Sequence, residues 1–264
     1  MCIRDRNQRG GWPLSAWLLP DGKPFFGGTY FPPEHFKKLL TRIVEVWKEQ
    51  RPLLEQQAGK LTEHLYRQAG KFQAMAAVQP GLCEGVFDYL DQAHDDEHGG
   101  FSGPPRFAPK FPRTSNLDFL LRYSSRKGSQ RGETMVYTTL DRMVAGGIRD
   151  HLAGGFHRYS TDRVWLLPHF EKMLYDNALI PRTLIGAYKR SGNARYLEVA
   201  RETLDYVLSR LTGKDGGFYS AEDADTEGIE GLTYVWTRKE IFGVLGEKRG
   251  ELFCDFYGVK EEGN

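Results

Sequence analysis

Gly154-Gly155-Phe156 lies between two further copies of the same tripeptide, Gly99-Gly100-Phe101 and Gly216-Gly217-Phe218, and each copy follows a helix-like run and an acidic or histidine-bearing turn. Each gap holds about two amphipathic helices with their connections, the size of one helical hairpin, so a stack of hairpins is the economical reading. In a ring of hairpins the glycine-marked turns gather at one end, and polar side chains near them line a central cavity. Candidate helices cover 82–93, 115–123, 133–149, 169–190, 194–211 and 238–246, about six in roughly 180 residues, lengths typical of an all-α domain. Three hairpins do not close a ring.

The first part of the chain has a different texture. Residues 14–19 and 25–31 are aromatic and aliphatic runs on either side of Pro20-Asp21-Gly22-Lys23-Pro24, and the Asp-Gly turn predicts an antiparallel β-hairpin. Residues 34–50 then carry Phe36, Leu39, Leu40, Ile43, Val44, Val46 and Trp47 at helical spacing. Pro52 breaks that pattern, a second polar helix extends to about residue 73, and 74–81 read as a linker before a domain boundary.

The chain has 264 residues, 40% of them hydrophobic, enough to bury a core. Its formal charge of +1 gives no basic field for nucleic acid or anionic membrane. No apolar run approaches the roughly 20 residues of a membrane helix, and the start has no apolar signal core, so the chain reads as cytoplasmic. Cys2, Cys83 and Cys254 form no Cys-x-x-Cys pair, so they read as buried or incidental thiols rather than a zinc knuckle or redox dithiol. None of the Gly-Gly pairs has the strand-to-helix context of a phosphate loop or dinucleotide fingerprint, and no cofactor or metal is read.

Five blocks carry a resemblance: Gly10-Gly11-Trp12-Pro13-Leu14; Gly22-Lys23-Pro24-Phe25-Phe26-Gly27-Gly28-Thr29-Tyr30-Phe31-Pro32; Gly154-Gly155-Phe156-His157-Arg158-Tyr159-Ser160; Pro168-His169-Phe170-Glu171-Lys172-Met173-Leu174-Tyr175-Asp176-Asn177; and Gly217-Phe218-Tyr219-Ser220-Ala221-Glu222-Asp223-Ala224-Asp225. Together they resemble the thioredoxin-domain proteins related to spermatogenesis-associated protein 20. That family joins a thioredoxin-like domain to a helical toroid similar to those of N-acylglucosamine epimerases and six-hairpin glycosidases. The resemblance implies a mainly α chain, a partial (α/α)6 toroid preceded by the C-terminal part of a thioredoxin-like α/β domain. It divides the chain into a foreign or disordered start (1–9), thioredoxin-like sequence with following helices (10–77), a linker (78–82) and the first half of the toroid (83–264). On this reading the chain is an internal fragment, inactive by itself and prone to self-association through exposed helix faces. The resemblance also places Pro13 as the structural cis-proline of a thioredoxin fold; any Trp-Pro can equally open a strand in trans.

For chemistry, the segment from Pro168 is the most informative. Read as a helix starting at that proline, it puts His169, Lys172 and Asp176 on one face. With the turn residues His157, Arg158 and Tyr159, these groups offer acid, base and charge stabilisation to a sugar-like substrate; the plainer reading is a Lys172–Asp176 pair on a solvated face with His169 as a cap. Pro181 suggests a kink or an early end to that helix. The cluster Glu222, Asp223, Asp225, Glu227 and Glu230 fits the carboxylate pairs of glycoside chemistry, a solvated acidic turn, or less well a calcium loop, because Tyr234 stands where a bidentate Glu is needed. Trp165, Tyr219, Tyr234 and Trp236 offer stacking faces, Trp165 foremost. The loop carrying Arg106, Lys110 and Arg113 offers an anion site or is a solvated connection.

The catalytic set is accordingly His169, Glu171, Asp176, Asp223 and Asp225, with His157, Arg158, Tyr159, Trp165, Lys172 and Glu222 binding substrate. The expected function is a carbohydrate-active enzyme, isomerase- or hydrolase-like, acting on a small sugar-like ligand in the toroid cavity. The alternative is a non-catalytic module that binds a ligand, or a polypeptide through the thioredoxin-like part, with a redox-related role in the full-length protein.

Overall fold

The computed structural model describes residues 14–69, 80–105 and 107–263. Trp12-Pro13, Cys2 and Arg106 lie outside the described residues, and the expected cis bond at Pro13 lies there with them. Backbone contacts divide the chain into two units, Met1–Gln79 and Pro80–Asn264.

In the first unit, β1 (Ser15–Leu18) pairs antiparallel with β2 (Pro24–Gly28), the hairpin that Asp21-Gly22 predicts. Gly22 adopts φ +84° in the turn, a conformation open to glycine at little cost. Helix α1 (Pro33–Glu49) starts with proline in its first turn, and α2 (Arg51–Ala69) follows after Gln50. Pro52 therefore stands in the first turn of a new helix, where its missing N–H is harmless. Leu19, Phe25, Leu54 and Ala58 form a small core flanked by Trp17, Phe26, Ile43 and Trp47.

The second unit is helical: α3 (Leu82–Ala93), α4 (Thr114–Lys127), α5 (Gln130–Ala145), α6 (Leu174–Ser191), α7 (Ala194–Arg210), α8 (Arg238–Leu245) and α9 (Glu247–Tyr257). Consecutive helices pack as hairpins, α4 on α5, α6 on α7 and α8 on α9, and α4 also touches α6. Short turns with side-chain caps set this up: Ser129 accepts from Gly132 N, Asn193 from Arg195 N, and Thr237 forms a capping box with Glu240. Leu117, Leu120, Met135, Leu140, Met143, Ile180, Leu184 and Val199 are buried in the shared core.

Two expectations need correction. The helix expected from Pro168 begins only at Leu174; before it, β3 (Tyr159–Ser160) pairs with β4 (Pro168–His169), and β5 (Lys172–Met173) pairs with β6 (Ala221–Glu222). Long-range pairing has taken those residues away from the local helical pattern. Pro181 does not end α6, which continues to Ser191 with the proline buried inside it. Helix α9, divided from α8 by Gly246, was not expected at all, and a third short ribbon joins β7 (Asp225–Thr226) to β8 (Ile229–Glu230).

Candidate active site

The loops after α3, α5 and α7 are knitted together by these ribbons. Lys110 exchanges both backbone bonds with Ser160, Arg158 N donates to Glu171 O at 2.8 Å, and Leu174 N donates to Ser220 O at 2.9 Å. Asn177, in the first turn of α6, locks the arrangement: its Oδ1 accepts from Phe156 N, and its Nδ2 donates to Phe156 O and Met173 O.

Two of the Gly-Gly-Phe turns share one device. In the second, Asp150 Oδ1 accepts from Leu152 N and Ala153 N, while Oδ2 takes the Lys172 ammonium at 2.7 Å. In the first, Asp95 Oδ1 accepts from Glu97 N and His98 N, and Oδ2 takes Lys110 at 2.9 Å. Each lysine also donates to the carbonyl of the first glycine and lies over an aromatic ring, Lys172 over Tyr206 and Lys110 over Trp165. Lys110 is fully buried and paired with Asp95, so neither reading of its loop, an anion site or a solvated connection, describes this residue. The third turn has Gly213 in the corresponding backbone place and no such lysine; Phe218 is 55% exposed, whereas Phe156 is fully enclosed.

Extended backbone sends alternate side chains to opposite sides, and this divides the candidate residues into two groups. Pro168, Phe170 and Lys172, with His157, line a cavity of about 1140 Å3. Glu222, Asp223, Asp225, Tyr206, Arg210, Tyr234 and Trp236 also line it. Phe170 stacks on Tyr234, and His157 meets both rings edge-on. His157 Nδ1 lies 2.9 Å from the Phe170 carbonyl, which can only accept, so Nδ1 carries the proton and Nε2 keeps its lone pair. Burial, aided by the Lys172 charge, pushes the His157 pKa down to about 4. Burial also lowers the pKa of Lys172, against the pull of Asp150. Glu222 accepts from Tyr206 Oη at 2.7 Å and Arg210 at 3.0 Å. Burial opposes its ionisation, but those bonds outweigh burial and hold it below the usual range.

Arg158, Tyr159, His169, Glu171 and Asp176 form the other group. Arg158 Nη1 donates to Glu171 Oε2 at 2.6 Å. His169 has one carboxylate at each nitrogen, Glu230 Oε1 at 2.7 Å from Nδ1 and Glu171 Oε2 at 3.7 Å from Nε2, and its ring stacks on Tyr159. Asp176, in the first turn of α6, is 9% exposed and its Oδ2 has no hydrogen-bond partner. Burial pushes its pKa up to about 7, with Arg158 opposing the rise and Glu171 adding to it. His169, Lys172 and Asp176 thus do not share a helix face. Trp165 is wholly buried, with its indole N–H donating to the His98 carbonyl, so it is a core residue rather than a stacking platform. Asp150, Asn177, Tyr206 and Arg210 were not singled out from sequence; an aspartate four residues before the first glycine in two of the three turns was the available signal.

Among the described residues no helix is long and apolar enough to cross a membrane. The family described as Thioredox_DsbH, protein of unknown function, matches residues 2–66. Spermatogenesis-associated protein 20 of Rattus norvegicus is 40% identical over 293 residues, covering 99% of this chain and 36% of the relative. The Homo sapiens protein of that name is 41% identical with the same coverage. The chain therefore spans little more than a third of the relatives it matches. A sugar epimerase from a ruminal bacterium superimposes with a TM-score of 0.47 at 16% identity, over 65% of this chain and 50% of that one.

Proposed function

For a chain that is a relative of spermatogenesis-associated protein 20 along 99% of its length, we propose that the helical unit carries an acid–base site for a sugar-like small molecule, on the face where Arg158, His169, Glu171 and Asp176 meet. The observation that carries this reading is Asp176: a buried carboxyl with one oxygen unbonded, within electrostatic reach of the Arg158–Glu171 ion pair, whose glutamate also faces His169. Sugar isomerisation and glycoside cleavage both need a group that can give or take a proton near neutral pH. A carboxyl whose pKa is raised to about 7 meets that need. Asp176 is the proton donor and acceptor; His169, set between Glu171 and Glu230, is the second group. Arg158 balances charge, and the stacked Tyr159 and His169 rings present a flat apolar surface to a sugar face. Asp223 and Asp225 line the cavity on the opposite side of the ribbon and stand outside this site.

The test follows solvent deuterium entering D-mannose, D-glucose and cellobiose, and hydrolysis of aryl glycosides, by proton NMR in this chain and in a full-length relative carrying matching substitutions. Wild type is expected to exchange or cleave at least one sugar. Asp176→Asn and His169→Ala are expected to bind it while turnover falls by about 10²- to 10⁴-fold. Equal turnover in wild type and both variants, or no turnover by the full-length relative, overturns the reading.

A further inference from the structure

His157 is 2% exposed and lines the cavity of about 1140 Å3. Its Nδ1–H is spent on the Phe170 carbonyl at 2.9 Å, which fixes the ring and turns Nε2 away from that carbonyl. Nε2 has no hydrogen-bond partner among the described residues, yet it is not sealed from solvent. Burial keeps the imidazole neutral, with its pKa near 4, so at pH 7 Nε2 accepts and does not donate. Other polar side chains of the wall are committed: Lys172 donates to Asp150 and the Gly154 carbonyl, and Tyr206 and Arg210 donate to Glu222. A buried acceptor left over in such a wall calls for a donor from outside the protein.

The rest of the wall identifies the body that carries this donor. Phe170 and Tyr234 stack with ring centres 5.3 Å apart, and the imidazole meets both rings edge-on. Leu167, Val235, Ile241 and Phe253 extend the apolar lining, which suits flat rings. Arg149, Lys172 and Arg210 are ion-paired with Glu202, Asp150 and Glu222, whereas Asp223 and Asp225 line the cavity with no cation partner among the described residues. A carboxylate or phosphate therefore meets two unpaired carboxylates and no free lysine or arginine. We infer that this cavity binds an uncharged, hydroxyl-bearing aromatic molecule, its rings against Phe170 and Tyr234 and its O–H donating to His157 Nε2. The site lies across the ribbon from the acid–base face and does not depend on that reading.

The experiment uses three probes: 2-naphthol, which carries the donor; 2-methoxynaphthalene, which has the same rings and no donor; and 2-naphthoate, the anion. Affinities are measured by fluorescence and saturation-transfer NMR at pH 7, in this chain and in a full-length relative with histidine at the matching position. Both proteins are expected to bind the naphthol about tenfold tighter than the ether. The ether is the more apolar molecule, so a preference in this direction comes from the hydrogen bond and not from burial of the rings. The naphthoate is expected not to bind. His157→Phe, which keeps a ring and removes the acceptor, is expected to bind the ether at least as well as the naphthol.

A second arm needs no variant and decides the matter if His157→Phe does not fold. In wild type with ¹⁵N-labelled histidine, the His157 Nε2 resonance, assigned by through-bond correlation from its own backbone, is expected to move upfield on titration with 2-naphthol and to stay in place with the ether. Ether and naphthol bound equally by wild type, or an Nε2 resonance that the naphthol does not move, overturns the inference. Binding by this chain but not by the full-length relative means that the rest of the longer protein covers the wall, and the inference is then wrong.

Discussion

The Lys172 ammonium, 1% exposed, closes on Asp150 at 2.7 Å inside the second Gly-Gly-Phe turn, in the same arrangement by which Lys110 closes on Asp95 in the first. In both cases one lysine joins a glycine turn to a strand that arrives later in the sequence. The two pairs differ in what remains when the lysine is removed.

Lys172→Met keeps the length of the side chain and leaves Asp150 buried without its cation. Breaking a buried pair in this way costs about 3–5 kcal/mol. Asp95 retains a second cation, Arg163, at 2.7 and 2.8 Å, so Lys110→Met is expected to cost less. Urea denaturation of the two variants checks the order, and equal losses would show that Arg163 does not compensate.

Asp176 gives stability a pH dependence of definite sign. Its pKa rises from 3.8 to about 7 on folding, so between those values the folded chain holds a proton that the unfolded chain has released. Stability from this group is therefore present at low pH and is lost as pH rises through about 7, at up to about 1.4 kcal/mol per unit. Asp176→Asn does not titrate. It should gain on wild type between pH 5 and pH 8 in denaturation experiments, whereas a constant difference would show that Asp176 is ionised throughout.

His157 works in the opposite direction. Folding lowers its pKa from 6.5 to about 4, so the unfolded chain takes up a proton first as acid is added. Its contribution is complete above 6.5 and is lost as pH falls through about 4. His157→Gln should remove this acid sensitivity, and the His157 ring signals in an NMR titration should stay neutral at pH 6.

Gly155 sits at φ +80°, and a Cβ there would lie 2.5 Å from the Tyr206 ring, whereas the matching Gly217 of the third turn has open space around it. Gly155→Ala is expected to cost about 2–4 kcal/mol from backbone strain and overpacking. Gly217→Ala should stay within about 0.5 kcal/mol. Thermal melts of the two variants test the contrast.

Local signals were legible where local forces decide. The Asp21-Gly22 turn fixed the hairpin, and apolar spacing placed α3 at Leu82–Ala93, as observed. Helical spacing does not report why residues 168–173 are extended: Pro168 and His169 pair with Ser160 and Tyr159, 8 and 10 residues back, and Lys172 and Met173 pair with Glu222 and Ala221, 50 and 48 residues on. Reading them as helix put His169, Lys172 and Asp176 on one helix face, when alternation along an extended ribbon separates Lys172 from His169. Trp165 was misjudged because an aromatic in a turn resembles a stacking platform until its indole N–H is seen bonded to the His98 carbonyl.

In the third Gly-Gly-Phe turn, which carries Lys214 and Asp215 within its loop, Gly213 takes the backbone place of the clasping Asp95 and Asp150, and that difference sets an order of events in time. Amides near 213–219 should exchange with solvent before those of the two clasped turns, which open only when the helices beneath them let go. The helical unit is thus expected to yield first at this joint. That joint leads directly into Glu222 and on to Glu230, the residues that reach Lys172 and His169, so both faces of the central ribbon respond to the same moving part.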